Sequence, residues 1–298
     1  MAAELLRSQV YRGPSFSLID VQCCHGRSPV GAEEASKACD VTFVRRGVFV
    51  KHVCRARVIA DCNTVVFFNR GEPYSASHPV DGGDECTVLA LREDLLCEVL
   101  ADADPAASRD AQPRFRHTHG PAEPACQLKL AKLRGQLRAP IHDPLAAEEA
   151  ALELFSGVVT SACAVRGERP PRRADTAAAH LELSGAVQTL LAARFAEPLT
   201  LCEVADAVCS SPYHLARVFR REVGSSIHQY RARLRLAAAL HRLAEGESDL
   251  TRLALESGFS SHSHFTTAFR QRFGVSPSVV RGRLTRPRLH EMSTILTA

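Results

Sequence analysis

The chain has 298 residues, 45% of them hydrophobic and 23% charged, with a formal net charge of +4. That balance suits a globular protein with room for two cores and excludes disordered and fibrous classes. No stretch approaches the roughly 18 uninterrupted apolar residues of a membrane helix, and the opening MAAELLRSQVYRGPSF lacks a signal peptide's apolar core, so no membrane partner is expected and the cytoplasm is the expected compartment.

From about Ser15 to Leu91 the chain runs in short β-branched and aromatic stretches, SFSLIDVQ, VTFVRRGVFVKHV, NTVVFFN and CTVLALR. Turn signals such as Asn69-Arg70-Gly71-Glu72-Pro73 separate them, which predicts a compact antiparallel β domain. Residues 103–126, rich in Pro, Ala and polar side chains, read as a loop. Helical periodicity then takes over in QLKLAKLRGQLR and from Pro144 to Val165. GERPPRRADT, 167–176, breaks it with two prolines and three arginines and is the expected domain linker.

The first domain is thus expected over 1–166, with helices in 127–165, and the second over 177–284, almost wholly helical. Residues 285–298 read as a loose tail. Charge divides the same way: 22 basic and 23 acidic residues lie in 1–180, but 15 basic and 10 acidic in 181–298.

The helical half contains one pattern twice. Ser211-Pro212 is a helix start, with a hydroxyl to accept from the first free amides and a proline where no amide hydrogen is needed. Leu215, Val218 and Phe219 then form an apolar stripe, leaving Tyr213, Ala216, Arg217 and Arg220 on the other face. In the second copy Ser261 is the expected cap. Phe265, Ala268, Phe269 and Phe273 turn inward there, and His262, Ser263, Thr266, Thr267 and Arg270 turn outward. A short helix precedes each copy, at Leu201–Val208 and Leu250–Ser257, and Gly258 can supply a positive-φ turn. Two helices joined by a tight turn, the second with a polar face, make a helix-turn-helix. Ile227–Ala244 connects the two units. At about 1.5 Å per residue it is long enough to set two recognition helices about one DNA turn apart.

The ordered set LTLCEVADAVCSSPYHLARVFRREVG, SIHQYRARLRLAAALHRL and LALESGFSSHSHFTTAFRQRFGVSP resembles the DNA-binding domain of the AraC/XylS family of transcription regulators over residues 182–281. The resemblance implies that Tyr213, Arg217, His262, Ser263 and Thr266 lie where base edges are met. Arg220, Arg221 and Arg270 lie nearer phosphates, and Ser211, Pro212, Ala216, Ser261 and Thr267 complete the DNA-facing set. This chain departs from the pattern in three places. Cys209 replaces the first turn glycine and shortens that turn by a residue, Thr267 stands where many relatives carry arginine, and Val280 stands where an aromatic usually precedes Arg281.

The resemblance further implies an α+β protein in which an N-terminal cupin-like domain binds a small-molecule effector, its trailing helices give a homodimer face, and the whole acts with RNA polymerase, more often as an activator. In the N-terminal half, Glu72, Tyr74, His78 and Asp84 gather around one turn and are the candidate effector-binding residues; an ordinary hairpin rim would read the same. Eleven cysteines without an export signal are expected to be free thiols. Six of them, Cys23, Cys24, Cys39, Cys54, Cys62 and Cys86, fall in the β domain with His25, His52 and His78 near in sequence. Buried inert thiols and a metal- or redox-sensing cluster are both open readings. No CxxC occurs, so no metal ligands are assigned and no cofactor is expected. His117-Thr-His119 sits in the loop region, and no catalytic motif is present, so no enzyme activity is expected.

Overall fold

The computed structural model describes residues 5–24, 26–54, 56–103, 114–139, 143–164 and 174–282. Two antiparallel sheets form the N-terminal domain. The larger has six strands, in spatial order β1 (Leu5–Arg12), β2 (Phe16–Cys23), β9 (Asp84–Leu91), β4 (Asp40–Gly47), β7 (Thr64–Phe68) and β10 (His119–Pro121). The smaller runs β3 (Glu34–Ala35), β8 (Pro73–Ser77), β5 (Phe49–Val53) and β6 (Ala56–Ala60). All five residues of β7 are buried. The alternation of a strand explains how both faces are covered. Val66 and Phe68 enter the core between the sheets with Val44, Phe49, Val58 and Cys86. Val65 and Phe67 face the other way, toward α1 (Glu93–Ala103), α2 (Pro124–Arg138) and α3 (Pro144–Ala164).

Among the described residues six helices follow: α4 (Ala174–Arg194), α5 (Leu201–Ala207), α6 (Pro212–Val223), α7 (Ile227–Ala244), α8 (Leu250–Glu256) and α9 (His262–Phe273). They hold two small cores joined by α7. Val187, Leu191, Val204, Leu215, Phe219, Tyr230 and Leu234 fill the first, and Leu236, Leu240, Leu253, Phe265, Phe269 and Phe273 the second. A fully buried Leu or Phe contributes about 1.5–3 kcal/mol, so each unit has its own apolar anchor. The α+β, two-domain layout is as expected.

Four local features differ from the sequence reading. The strands begin at Leu5, ten residues before Ser15, because β1 is an edge strand whose side chains are mostly exposed and carry no apolar alternation. The helix α1 was not expected; its one-sided signal is Leu96 and Leu100, buried one turn apart. Within the expected loop 103–126, His119 pairs with Val66 and opens β10, a strand too short to show a period, while His117 remains in the loop. The helix α4 begins at Ala174, inside the expected linker. Residues 167–173 of that linker, the tail 285–298 and His25 lie outside the described residues.

Candidate nucleic-acid interface

Each helix-turn-helix is held by its own local chemistry. In the first, Thr200 and Glu203 form a reciprocal capping box at the start of α5. The chain turns at Cys209 with φ of 50°, so the missing glycine leaves the backbone left-handed all the same, at a cost of about 1 kcal/mol. The Ser211 hydroxyl then accepts from the His214 amide at 3.3 Å, Pro212 occupies the first turn, and Gly224 at φ of 77° ends α6. In the second unit Asp249 accepts from the Thr251 and Arg252 amides. The turn falls at Gly258, with φ of 84° and a built Cβ only 2.4 Å from the Ala196 carbonyl oxygen. Ser261 accepts from the His264 amide at 3.1 Å, and Gly274 closes α9.

The faces divide as the sequence predicts. Leu215, Val218, Phe219, Phe265, Phe269 and Phe273 are buried, with Ala268 half-buried against the second core. On α6, Arg217, Arg220 and Arg221 are exposed, Pro212 and Ala216 are half-buried, and the cap Ser211 is exposed; the Tyr213 side chain lies outside the described residues. On α9, Ser261, His262, Ser263, Thr267 and Arg270 are exposed, and half-buried Thr266 lies 3.5 Å from His262 Nε2. The first unit thus presents three guanidinium heads and the second one, Arg270, beside the hydroxyls of Ser261, Ser263 and Thr267, groups of the kind that reach phosphates and base edges. The paired His214 and His264 have a different task. The His214 ring packs 5.7 Å from that of His180, and His264 sits 5.5 Å from Phe259 with Nδ1 3.2 Å from the Ser260 hydroxyl. His214 thus ties α6 to α4, and His264 braces the turn before α9.

Between the units, α7 starts in a second capping box, Ser226 with Gln229. Its 18 residues span roughly 27 Å. The same helix is the seat of a contact that the sequence did not announce, a clasp between the domains. Arg134 of α2, 2% exposed, donates to Asp20 at 2.7 Å and to Glu245 just past α7 at 3.2 Å. Arg138 reaches the same two carboxylates at 3.2 and 2.9 Å. Arg45 lies 3.4 Å from Glu85, which in turn sits 3.3 Å from His241 Nε2 of α7. Three arginines thus meet three carboxylates, with His241 at the edge. The His241 contact, together with Arg45 and Arg46, holds the Glu85 carboxyl down at about 2 despite its partial burial. Burial alone would raise Asp20, but Arg134 and Arg45 outweigh it and lower its pKa.

A second interdomain contact is fully dry. Tyr230 of α7 donates its hydroxyl to Asp61 in the β6–β7 turn, and Gln188 donates to the same hydroxyl at 3.1 Å. Asp61 is completely buried, and burial pushes its pKa up to about 6. Beside these contacts lies a small, partly open cleft, lined by Phe43, Cys62, Leu130, Ala131, Ala237 and Leu240 among others, hence by both domains.

The four candidate effector residues fall into two places, and none lines that cleft. Tyr74 donates to Glu34 at 3.1 Å, and Glu72 lies 3.9 Å from the buried Lys51 ammonium. His78 Nε2 meets Asp84 at 2.9 Å.

The family described as a helix-turn-helix domain matches residues 204–283. The HTH-type transcriptional regulator ArgR of Pseudomonas aeruginosa is 36% identical over 110 residues, 37% of this chain and 33% of that protein. The HTH-type transcriptional activator RhaS of Escherichia fergusonii is 36% identical over 87 residues, 29% of this chain and 31% of that protein. The chain therefore spans about a third of the length of the curated relatives it matches. Among solved structures, ToxT of Vibrio cholerae O395 is 14% identical, covering 92% of this chain and 99% of that one at a TM-score of 0.36. Residues 204–283 are accordingly an AraC-type helix-turn-helix domain.

Proposed function

We propose that the protein is a sequence-specific, DNA-binding transcription regulator, an activator working with RNA polymerase, controlled by a signal received in its β domain. The observation that carries this reading is the doubled unit itself. A helical bundle needs no repeated cap, turn and exposed cationic face, whereas two major grooves one turn apart do. Within α6 we assign Arg217 to base edges and Arg221 to phosphates, with His262, Ser263 and Thr266 as the base-facing set of α9. The clasp supports the control half of the proposal. It joins β2, β4, β9 and α2 to the one helix that both units share, so a change in the β domain reaches both at once. Cytoplasmic location, a homodimer and the absence of enzymatic activity complete the reading. Titrating selected and scrambled duplexes against salt tests it: Arg217→Ala should relax base preference, and Arg221→Ala should weaken every duplex alike and lower the salt slope by about 1. Equal affinity of the wild type for both duplexes at all salt concentrations would overturn specific regulation in favour of general DNA packaging.

A further inference from the structure

We infer that Cys23, His78 and Asp84 form a binding site for a divalent transition-metal ion of the zinc class, and that this ion is a signal the β domain receives. The inference deepens the regulator reading above and rests on it for the signalling part alone.

The sheet register builds the site. Cys23 and Asp84 are direct partners across β2 and β9, and Val21 and Cys86 are the next same-face pair, so both acidic and thiol groups enter the space between the sheets. His78, just after β8, comes from the opposite sheet. The candidate ligand atoms of Cys23, His78 and Asp84 all lie within 4.8 Å of one another. Tetrahedral ligands at ordinary zinc bond lengths are roughly 3.5 Å apart, so small rotamer changes close the set. Cys23 and Asp84 are 4% and 6% exposed, while the His78 side chain, 13% exposed, leaves a way in. Three protein ligands with a fourth position left for water match an exchangeable site better than a closed structural one. A thiolate, an imidazole and a carboxylate together favour zinc-class ions over magnesium or calcium.

Outer partners orient the ligands, as metal sites require. Ser28 and His78 exchange backbone hydrogen bonds at 2.8 and 3.2 Å, and the Ser28 hydroxyl lies 3.1 Å from His78 Nδ1. The Cys86 thiol donates to Asp84 Oδ2 at 3.1 Å, leaving Oδ1 for the ion. Proton bookkeeping is simple. An ion on His78 Nε2 leaves the ring proton on Nδ1, donated to Ser28, whose hydroxyl can either give or accept, and the Cys23 thiol proton leaves to solvent.

The position of the site supplies its consequence. Glu85 follows Asp84 and, by strand alternation, points to the opposite face, where it meets Arg45 and His241 of the clasp. Drawing Asp84 toward an ion therefore acts on the strand that also grips α7.

The test is a Co2+ titration of the reduced, chelator-treated full chain. A thiolate-to-cobalt charge-transfer band at one ion per chain, bleached by added Zn2+, is expected. Cys23→Ser should abolish the band and His78→Gln should weaken it, Ser28→Ala should lower affinity about 10–100-fold, and Cys24→Ser, at the exposed neighbour, should change nothing. Absence of the band, or a band unaltered in both Cys23→Ser and Ser28→Ala, would overturn the site even if His78→Gln failed to fold. Zn2+ should then shift affinity for a selected duplex at least about 5-fold. An unchanged affinity would overturn the signalling role, whereas no duplex binding with or without Zn2+ would overturn the regulator reading and leave the cobalt result standing.

Discussion

Tyr230 and Asp61, 169 residues apart in sequence, share one hydrogen bond across the boundary between the sheet domain and the helical domain, with no solvent at the carboxyl. Asp61 also accepts from the Asn63 amide at 2.9 Å, so the turn between β6 and β7 is shaped around the group that receives α7. Replacing Tyr230 with Phe keeps the ring in its core and strips one partner from a buried carboxyl. The expected cost is about 1–3 kcal/mol of stability in urea unfolding, with the Gln188 amide left seeking water.

The same carboxyl gives a pH signature. Burial raises Asp61 from the ordinary 3.8 to about 6, so the folded protein holds a proton that the unfolded chain releases between those values. The contribution of Asp61 to stability is therefore greatest below pH 3.8 and is lost as pH rises toward about 6. Asp40, raised by burial to about 6, acts in the same direction. Denaturant midpoints of wild type and Asp61→Asn across this range should diverge, with the wild type losing ground to the variant as pH rises.

The clasp separates buried from exposed charge. Arg134 is 2% exposed and Arg138 side-chain exposure is 40%, yet both touch Asp20 and Glu245. Arg134→Ala removes the buried guanidinium from Asp20, which is 13% exposed, while Arg138 stays beside both carboxylates, and should cost about 1.5–3 kcal/mol. Arg138→Ala should cost under about 1 kcal/mol, since water replaces what it loses. Calorimetry of the two variants checks the contrast. If the clasp restrains the helical domain, proteolysis around the domain junction should quicken in Arg134→Ala only.

The two turns predict opposite responses. Ser211→Ala and Ser261→Ala each remove a cap and should cost about 1 kcal/mol. Cys209→Gly relieves a left-handed residue at some cost in unfolded-chain entropy, for a net gain of about 0.5 kcal/mol. At Gly258 the reverse change to Ala meets the Ala196 carbonyl oxygen and should destabilise strongly. Thermal melting of the four variants orders them.

What could be read from the sequence is what local chemistry decides. Ser211, Ser261 and Gly258 mark caps and a turn through nearest-neighbour groups, and α7 begins and ends where its periodicity does, at Ile227 and Ala244. The stripe of Leu215, Val218 and Phe219 fixed which face of α6 would be exposed. The β domain was legible only as strands. The edge strand β1 has no buried face to betray it, and Cys23 meets Asp84 through a register that no local pattern encodes. The clasp lay furthest out of reach, because Arg134 and Glu245 are 111 residues apart and each alone reads as an ordinary helix-surface charge.

The central claim, specific DNA recognition by two matched units, is tested most directly by capturing fragments of the source genome on the purified full chain at moderate salt and sequencing what is retained. An enriched motif of two elements about one helical turn, or 10–10.5 base pairs, apart is expected, with base preference relaxed in one element in Arg217→Ala. Retention of fragments without any shared motif, in the presence and absence of Zn2+ alike, would contradict it.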